Sequence, residues 1–151
     1  MVALFAFIHH LAAFALVAAL AVEFVLIKDE LNIASARKLL AADLVFGVSA
    51  GVVLVVGLLR AFYFEKGAAY YFHSVPFIAK FSLFAVVGLL SIYPTITFLS
   101  WRAALRKGQV PAVAATQRRV IRRIMHWVLA GIVAIVLCAA LMARGIGYVG
   151  T

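Results

Sequence analysis

Four long apolar stretches constrain this chain more than any other feature of its sequence. They run roughly over residues 3–27, 39–64, 72–101 and 120–143. A helix needs ~20 apolar residues to cross a hydrocarbon core of ~30 Å. Because a backbone in lipid must satisfy its own hydrogen bonds, and because the stretches lack the strict alternation of barrel strands, they predict helices. The sequence therefore predicts an all-α fold, an integral membrane four-helix bundle in a single transmembrane domain over residues 1–151.

The overall composition agrees with a membrane location. Hydrophobic residues make up 68% of the chain, whereas soluble domains average about 45–50%. A soluble domain of this size has too little interior to hide so much apolar surface. Membrane lipids are therefore the first expected partner.

The basic residues are distributed unevenly between the predicted connections. Ten lie in the first and third connections, namely Lys28, Arg37, Lys38, Arg102, Arg106, Lys107, Arg118, Arg119, Arg122 and Arg123. The opposite side has three, namely Arg60, Lys66 and Arg144. The positive-inside rule then predicts that both termini lie on the non-cytoplasmic side of the membrane. The net charge of +9 follows from this topology and from attraction to anionic headgroups, and no nucleic-acid partner is expected.

Ionisable residues inside the apolar stretches are the candidate functional residues, because burying a charge in a bilayer costs ~3 kcal/mol or more. His9 and His10 in the first stretch and Lys80 in the third lie at a similar depth from the same side, ~10–12 Å at 1.5 Å per residue. Lys80 either pairs there or extends outward along its apolar stem. Nearer the surface on that side are Arg60, Glu65 and His73.

A second group is expected towards the opposite side. It contains Glu23, Asp43 and His126. His9 and Glu23 are fourteen residues apart, close to four helical turns, so they share one face of the first helix while His10 points elsewhere. Solvation among the headgroups is the leading interpretation of the two carboxylates and of Arg60. His126 makes either a buried polar contact or a ligand contact.

Several motifs together resemble a family of small bacterial four-helix predicted membrane proteins of unassigned function. The likeness covers most of the chain from Phe7 to Arg102. It is carried by Asp43, Gly57-Leu58-Leu59-Arg60, Glu65-Lys66-Gly67, Tyr70-Tyr71, Lys80, Gly88-Leu89-Leu90-Ser91-Ile92-Tyr93-Pro94-Thr95 and Trp101-Arg102. This resemblance implies a fold and a location in the bacterial inner (plasma) membrane, but no particular activity.

A more distant resemblance is to protoporphyrinogen oxidases of the HemJ type. These are small four-helix membrane proteins with a histidine early in the first helix and a lysine early in the third, and members bind haem b. His9 or His10 and Lys80 match those positions. The His-x-Lys arrangement common in that family reads Ile78-Ala79-Lys80 here, so its histidine is replaced.

The leading hypothesis is therefore a haem b (tetrapyrrole) binding protein, which transfers electrons or oxidises a lipophilic, porphyrin-like or quinone-like substrate. His9 or His10 would be the metal ligand, because neutral imidazole is a normal axial ligand of haem iron. Lys80 and Arg60 would contact propionates or substrate and are the candidate catalytic residues. Ligation by two histidines would need a second imidazole, from His73 or from His10 of a symmetry mate in a homo-oligomer; the alternative is a single-histidine site open to substrate.

Two other functions remain open. One is an oligomeric proton or ion transporter with a path through His9, Glu23, Lys80 and His126, assembled through a face that carries Gly47 and Gly51. The other is a non-catalytic accessory membrane subunit. The chain has no nucleotide-binding loop, no recognisable hydrolytic triad and no metal motif of diagnostic spacing.

Overall fold

A computed structural model of the chain describes residues 1–64, 68–147 and 149, and these residues are almost entirely helical. Four long helices dominate: α1 (Val2–Leu26), α2 (Ile33–Leu59), α4 (Val75–Ser100) and α6 (Ala115–Ala143). The shorter elements are a π-helical turn (Arg60–Phe64) that continues α2, and the helices α3 (Ala68–Phe72) and α5 (Arg102–Arg106). No strand occurs in the part of the chain that is described.

Each of the four long helices is long and apolar enough to cross a membrane. Their most apolar windows have mean hydropathies between 2.1 and 2.5, and only 11–33% of each window is buried inside the protein. The outward faces are therefore apolar as well, which suits contact with lipid and not with water. The predicted all-α four-helix fold is confirmed.

α2 and α6 begin earlier than the predicted apolar stretches, and both additional segments contain basic residues. α2 begins at Ile33 and α6 at Ala115, so basic residues assigned to connections lie on helical turns. Asn32 is the N-cap of α2: its side chain accepts the Ser35 N–H at 2.8 Å, and the Ser35 hydroxyl oxygen accepts the Asn32 N–H at 2.9 Å. These reciprocal bonds satisfy two backbone donors at the start of the helix.

The bundle consists of two closely packed helix pairs. α1 packs chiefly against α2, and α4 packs chiefly against α6. Contacts of α2 with α4 and of α1 with α6 join the pairs. A core of buried side chains fills the centre; it includes Leu16, Leu20, Leu39, Phe46, Phe98, Ile121 and Met125.

The start of α1 and the end of α6 lie at one end of the bundle, called here the terminal end. Phe5 of α1 stacks on Phe64 after α2, with ring centroids 4.8 Å apart. The chain beyond α6 meets the start of α4, where the Val75 N–H donates to the Gly147 carbonyl at 3.0 Å. The opposite end, called the loop end, carries the connection between α1 and α2 and the segment from α5 to α6.

Glycines mark two close helix contacts. A Cβ on Gly131 of α6 would overlap the side chain of Val87 on α4, and a Cβ on Gly57 of α2 would meet the His9 ring of α1. Gly47 and Gly51 face open space within this chain. They therefore form no contact inside the bundle.

α4 continues through Pro94, which lacks an N–H to donate to the preceding turn. The Ser91 hydroxyl donates to the Val87 carbonyl at 2.8 Å, and the Thr97 hydroxyl donates to the Tyr93 carbonyl at 2.9 Å. Such hydroxyl bonds help satisfy the backbone around a proline in lipid. The neighbouring Thr95 hydroxyl instead donates to Asp43.

Candidate functional site

A polar pocket opens at the terminal end of the bundle and contains most of the residues predicted to cluster there. Its volume is about 310 Å³. It is lined by His9, His10, Arg60, Tyr70, Tyr71, Lys80, Ala139, Met142 and Ala143. α1, the turn after α2, α3, α4 and α6 all contribute, so only the folded bundle creates this terminal-end pocket.

His9 and His10 have different positions in this pocket. His9 is half-buried and faces α2, where its Cε1 lies 3.1 Å from the position that a Cβ on Gly57 would occupy. The Nδ1 atom of His9 is buried and has no hydrogen-bond partner among the described residues. His10 is exposed, and its Nδ1 donates to the Ala6 carbonyl of its own helix at 2.6 Å. His9 is therefore the histidine that faces the bundle interior.

Arg60 and Lys80 bring cationic groups to the same pocket from different elements. Arg60 lies in the π-helical turn after α2, and Lys80 lies near the start of α4. Both side chains are half-buried and line the pocket with His9. The depth estimate from the sequence thus placed these three residues correctly at one end.

Two tyrosines of α3 complete the polar wall. Tyr71 is 3% exposed, and its ring lies 4.9 Å from that of Phe77. The ring of Tyr70 meets it edge-on at 5.5 Å. The short helix α3 turns the Tyr71 side chain into the bundle. No signal in the sequence distinguishes it from its neighbours.

A smaller apolar cavity of about 60 Å³ adjoins the terminal-end pocket and shares His9 and Lys80 with it. Its other lining residues come from α2 and α4 and are Val53, Leu54, Gly57, Leu58, Phe77, Phe81 and Phe84. Together the two spaces combine a cationic, aromatic rim with an apolar wall. Such a site suits a ligand that has anionic groups on an apolar body.

The structure does not bring His73 or His126 to either predicted cluster. His73 is exposed, and its Nδ1 donates to the Ala69 carbonyl at 2.7 Å. The His126 ring meets the Phe24 ring of α1 edge-on at 4.8 Å, and its Nδ1 donates to the Arg122 carbonyl at 2.7 Å. His126 thus lies beside α1 but does not line the cavity of the two carboxylates, to which α6 contributes Met125 instead. Glu65 lies outside the described residues.

No metal site formed by several side chains accompanies the pocket. Within the described ranges, no group of three or more His, Cys, Asp or Glu side chains lies close enough to hold a metal ion. A cofactor that brings its own metal needs fewer protein ligands. The single inward imidazole of His9 meets that smaller requirement.

The second polar site lies towards the loop end, and its two acidic side chains are buried. Glu23 of α1 is 3% exposed, and Asp43 of α2 is 7% exposed. The Thr95 hydroxyl of α4 donates to Asp43 Oδ1 at 2.7 Å. Headgroup solvation, the leading sequence-based interpretation of these carboxylates, is therefore wrong. The sequence predicted that Glu23 and Asp43 lie in the same group, but it did not predict the hydrogen bond that Thr95 donates to Asp43.

The space beside this acid pair is very small. A cavity of about 10 Å³ is lined by Leu20, Glu23, Asp43, Phe46, Ser91, Pro94, Ile124, Met125 and Val128. A cavity needs ~10–15 Å³ to hold one water molecule. The acid pair thus has room for a proton and at most one water, whereas the terminal-end pocket has room for an organic ligand.

Comparisons with known proteins place the chain in a family. No curated protein and no solved structure matches it, so the resemblance to HemJ-type oxidases stays a prediction. Residues 1–147 match the family model described as predicted membrane protein (DUF2214). This match covers nearly the whole chain and confirms the predicted likeness to a family of small membrane proteins. The chain therefore belongs to the DUF2214 family of predicted membrane proteins.

Proposed function

We propose that this membrane protein binds an anionic ligand with an apolar body in the terminal-end pocket, and that the ligand is haem b. One observation carries the proposal: the half-buried imidazole of His9 and the cationic groups of Arg60 and Lys80 line the same pocket. Maintaining such groups inside an apolar bundle is costly, and in membrane proteins this pattern marks ligand and ion sites.

The lining residues match the groups of haem b by chemical type. Arg60 and Lys80 suit the two propionates, since guanidinium and ammonium groups make charge-assisted hydrogen bonds to carboxylates. The apolar residues of the adjoining cavity, among them Phe77, Phe81 and Phe84, suit the body of a tetrapyrrole. The pocket volume of about 310 Å³ is at the lower end of the ~300–1,000 Å³ typical of small-molecule sites.

His9 is the proposed axial ligand. It is the one histidine, of the four in the chain, that is not classed as exposed. Its ring lines both the terminal-end pocket and the adjoining apolar cavity, and a neutral imidazole is a normal ligand of haem iron. The site therefore has one protein imidazole per chain. Haem bound there supplies one-electron chemistry, such as electron transfer or the oxidation of a lipophilic substrate.

The absorption spectrum of the purified full-length protein tests this proposal. Protein expressed with an ample supply of haem precursor should show a Soret band, and the His9→Ala variant should lose it. His126→Ala is the matched control, because it removes an exposed histidine at the loop end and should keep the band. A colourless wild-type protein, or a band that survives in His9→Ala, would contradict the proposal.

A further inference from the structure

The acid pair near the loop end has no role in the proposed ligand site. Only 3% of the surface of Glu23 is exposed, and its Oε1 has no hydrogen-bond partner among the described residues. Glu23 and Asp43 both line the same small cavity. An unsatisfied buried carboxyl oxygen is costly, and it points to a ligand that the protein atoms do not supply.

We propose that Glu23 and Asp43 form a binding site for a single proton, which Glu23 carries while Asp43 is ionised. Two carboxylates that share a low-dielectric site cannot both be ionised without a large energetic cost. One proton between them leaves a single negative charge. This inference is independent of haem binding at the terminal end.

The hydrogen bond from Thr95 decides which acid is ionised. The Thr95 hydroxyl donates to Asp43 Oδ1 at 2.7 Å, and a donated hydrogen bond stabilises the charged form of a carboxyl group. Glu23 Oε1 receives no such bond from the described residues. The proton is therefore more stable on Glu23.

The other elements around the pair supply no compensating cation. α6 contributes Ile124, Met125 and Val128 to the cavity, and α4 contributes Ser91 and Pro94. Among the described residues that line the cavity, Glu23 and Asp43 are the titratable ones. The nearby ammonium of Lys28 lies over the Phe24 ring, 4.4 Å from its centroid. A proton is thus the available means of removing one of the two charges.

The size of the cavity and its ligands favour a proton over a metal ion. Its volume of about 10 Å³ accommodates about one water molecule. The described residues contain no group of three or more acidic, His or Cys side chains able to hold a metal. Hard metal cations take about six or more oxygen ligands, which a site of this size cannot provide.

Infrared difference spectroscopy on the full-length protein in lipid nanodiscs tests the proposal. The wild-type protein at pH 7 should show the carbonyl stretch of a protonated carboxyl group, which shifts on exchange into deuterated water. Glu23→Gln should remove this band. Glu30→Gln, which changes an exposed acid in the connection between α1 and α2, is the matched control and should retain it.

Two further measurements distinguish the alternatives. Thr95→Val removes the donor to Asp43, so the carboxyl band should shift or split as the proton redistributes between the acids. The band should also be insensitive to sodium at constant pH. The proposal would be overturned by a wild type without the band, by a band that Glu23→Gln leaves unchanged, or by displacement of the band with sodium. Because neither haem nor His9 enters these readouts, failure here is distinct from failure of the ligand proposal.

Discussion

The two ends of this bundle contain ionisable side chains in contrasting settings. The terminal-end pocket carries half-buried cationic and imidazole groups and has a volume of about 310 Å³. The acid pair consists of two buried carboxyl groups and has about 10 Å³ beside it. Both interrupt helices that are otherwise apolar, but only the first has room for an organic molecule.

This difference shows that burial and volume together indicate what a polar group in a membrane bundle can bind. Half-buried cations beside a large opening can meet an anionic ligand without losing all contact with water or headgroups. Fully buried acids beside a space for one water cannot, so their charge has to be limited by a proton. The same residue class, an ionisable side chain in an apolar helix, thus supports two different proposals.

The largest expected effect comes from filling the space that His9 occupies. Gly57→Leu places a side chain where the His9 ring lies, since even a Cβ there would be 3.1 Å from Cε1. We expect haem binding to be abolished, because overpacking that cannot be relieved costs ~1–3 kcal/mol and displaces neighbours. Haem titration followed by absorbance measures the loss. Gly51→Leu is the control, because nothing lies within 4 Å of a Cβ at Gly51, and equal binding by both variants would contradict the assigned position of His9.

A smaller effect is expected from neutralising one cation of the terminal-end pocket. Arg60→Gln and Lys80→Gln should each weaken haem binding roughly 10- to 100-fold, because a hydrogen bond to a charged group contributes ~1.5–3 kcal/mol. Equilibrium titration at fixed ionic strength measures the change. Arg144→Gln removes an exposed cation that does not line the pocket and should leave the affinity unchanged. Unaltered affinity in both pocket variants would show that the anionic groups bind elsewhere.

At the acid pair, removing the Thr95 hydroxyl should destabilise the fold without affecting the terminal end. Thr95→Val leaves the buried Asp43 carboxylate without its donor at 2.7 Å, at a cost of ~1–3 kcal/mol. Reversible unfolding in mixed micelles measures the free energy of unfolding. Thr116→Val, an exposed site near the start of α6, should stay close to wild type. If both variants lost the same free energy of unfolding, the hydrogen bond from Thr95 to Asp43 would not be the cause of the loss.

The smallest effect is expected from Glu23→Gln at neutral pH. A protonated glutamic acid and a glutamine are both uncharged and similar in shape, so the free energy of unfolding should change by no more than ~1 kcal/mol. An ionised Glu23 would behave differently, because removing an uncompensated buried charge relieves a penalty of several kcal/mol. The same unfolding assay separates the cases. Strong stabilisation by this substitution would mean that Glu23 is charged in the wild-type protein.

Helix spacing and depth predicted much of this arrangement from the sequence. The fourteen-residue separation of His9 and Glu23 placed both on the buried face of α1, and depth placed Lys80 and Arg60 with His9. These predictions depend only on helix geometry, which is nearly constant.

The rotation of each helix about its axis was harder to predict. Lipid is as apolar as the bundle core, so apolar side chains cover all faces of a spanning helix and their pattern does not mark the inner face. This is why the sequence leaves the choice between His9 and His10 open, and why it groups His126 with two carboxylates whose cavity His126 does not line. The contacts of Tyr71 and Thr95 depend on the short helix α3 and on the register of α4, which no local pattern specifies.

Haem titration of the apo-protein in nanodiscs tests most directly the claim that the two ends are separate sites with different ligands. Wild type, His9→Ala and Glu23→Gln should be compared under identical conditions. We predict that wild type and Glu23→Gln bind haem with the same affinity and the same Soret band, whereas His9→Ala loses the band. Retention of the wild-type band by His9→Ala, or its loss in Glu23→Gln, would contradict the account.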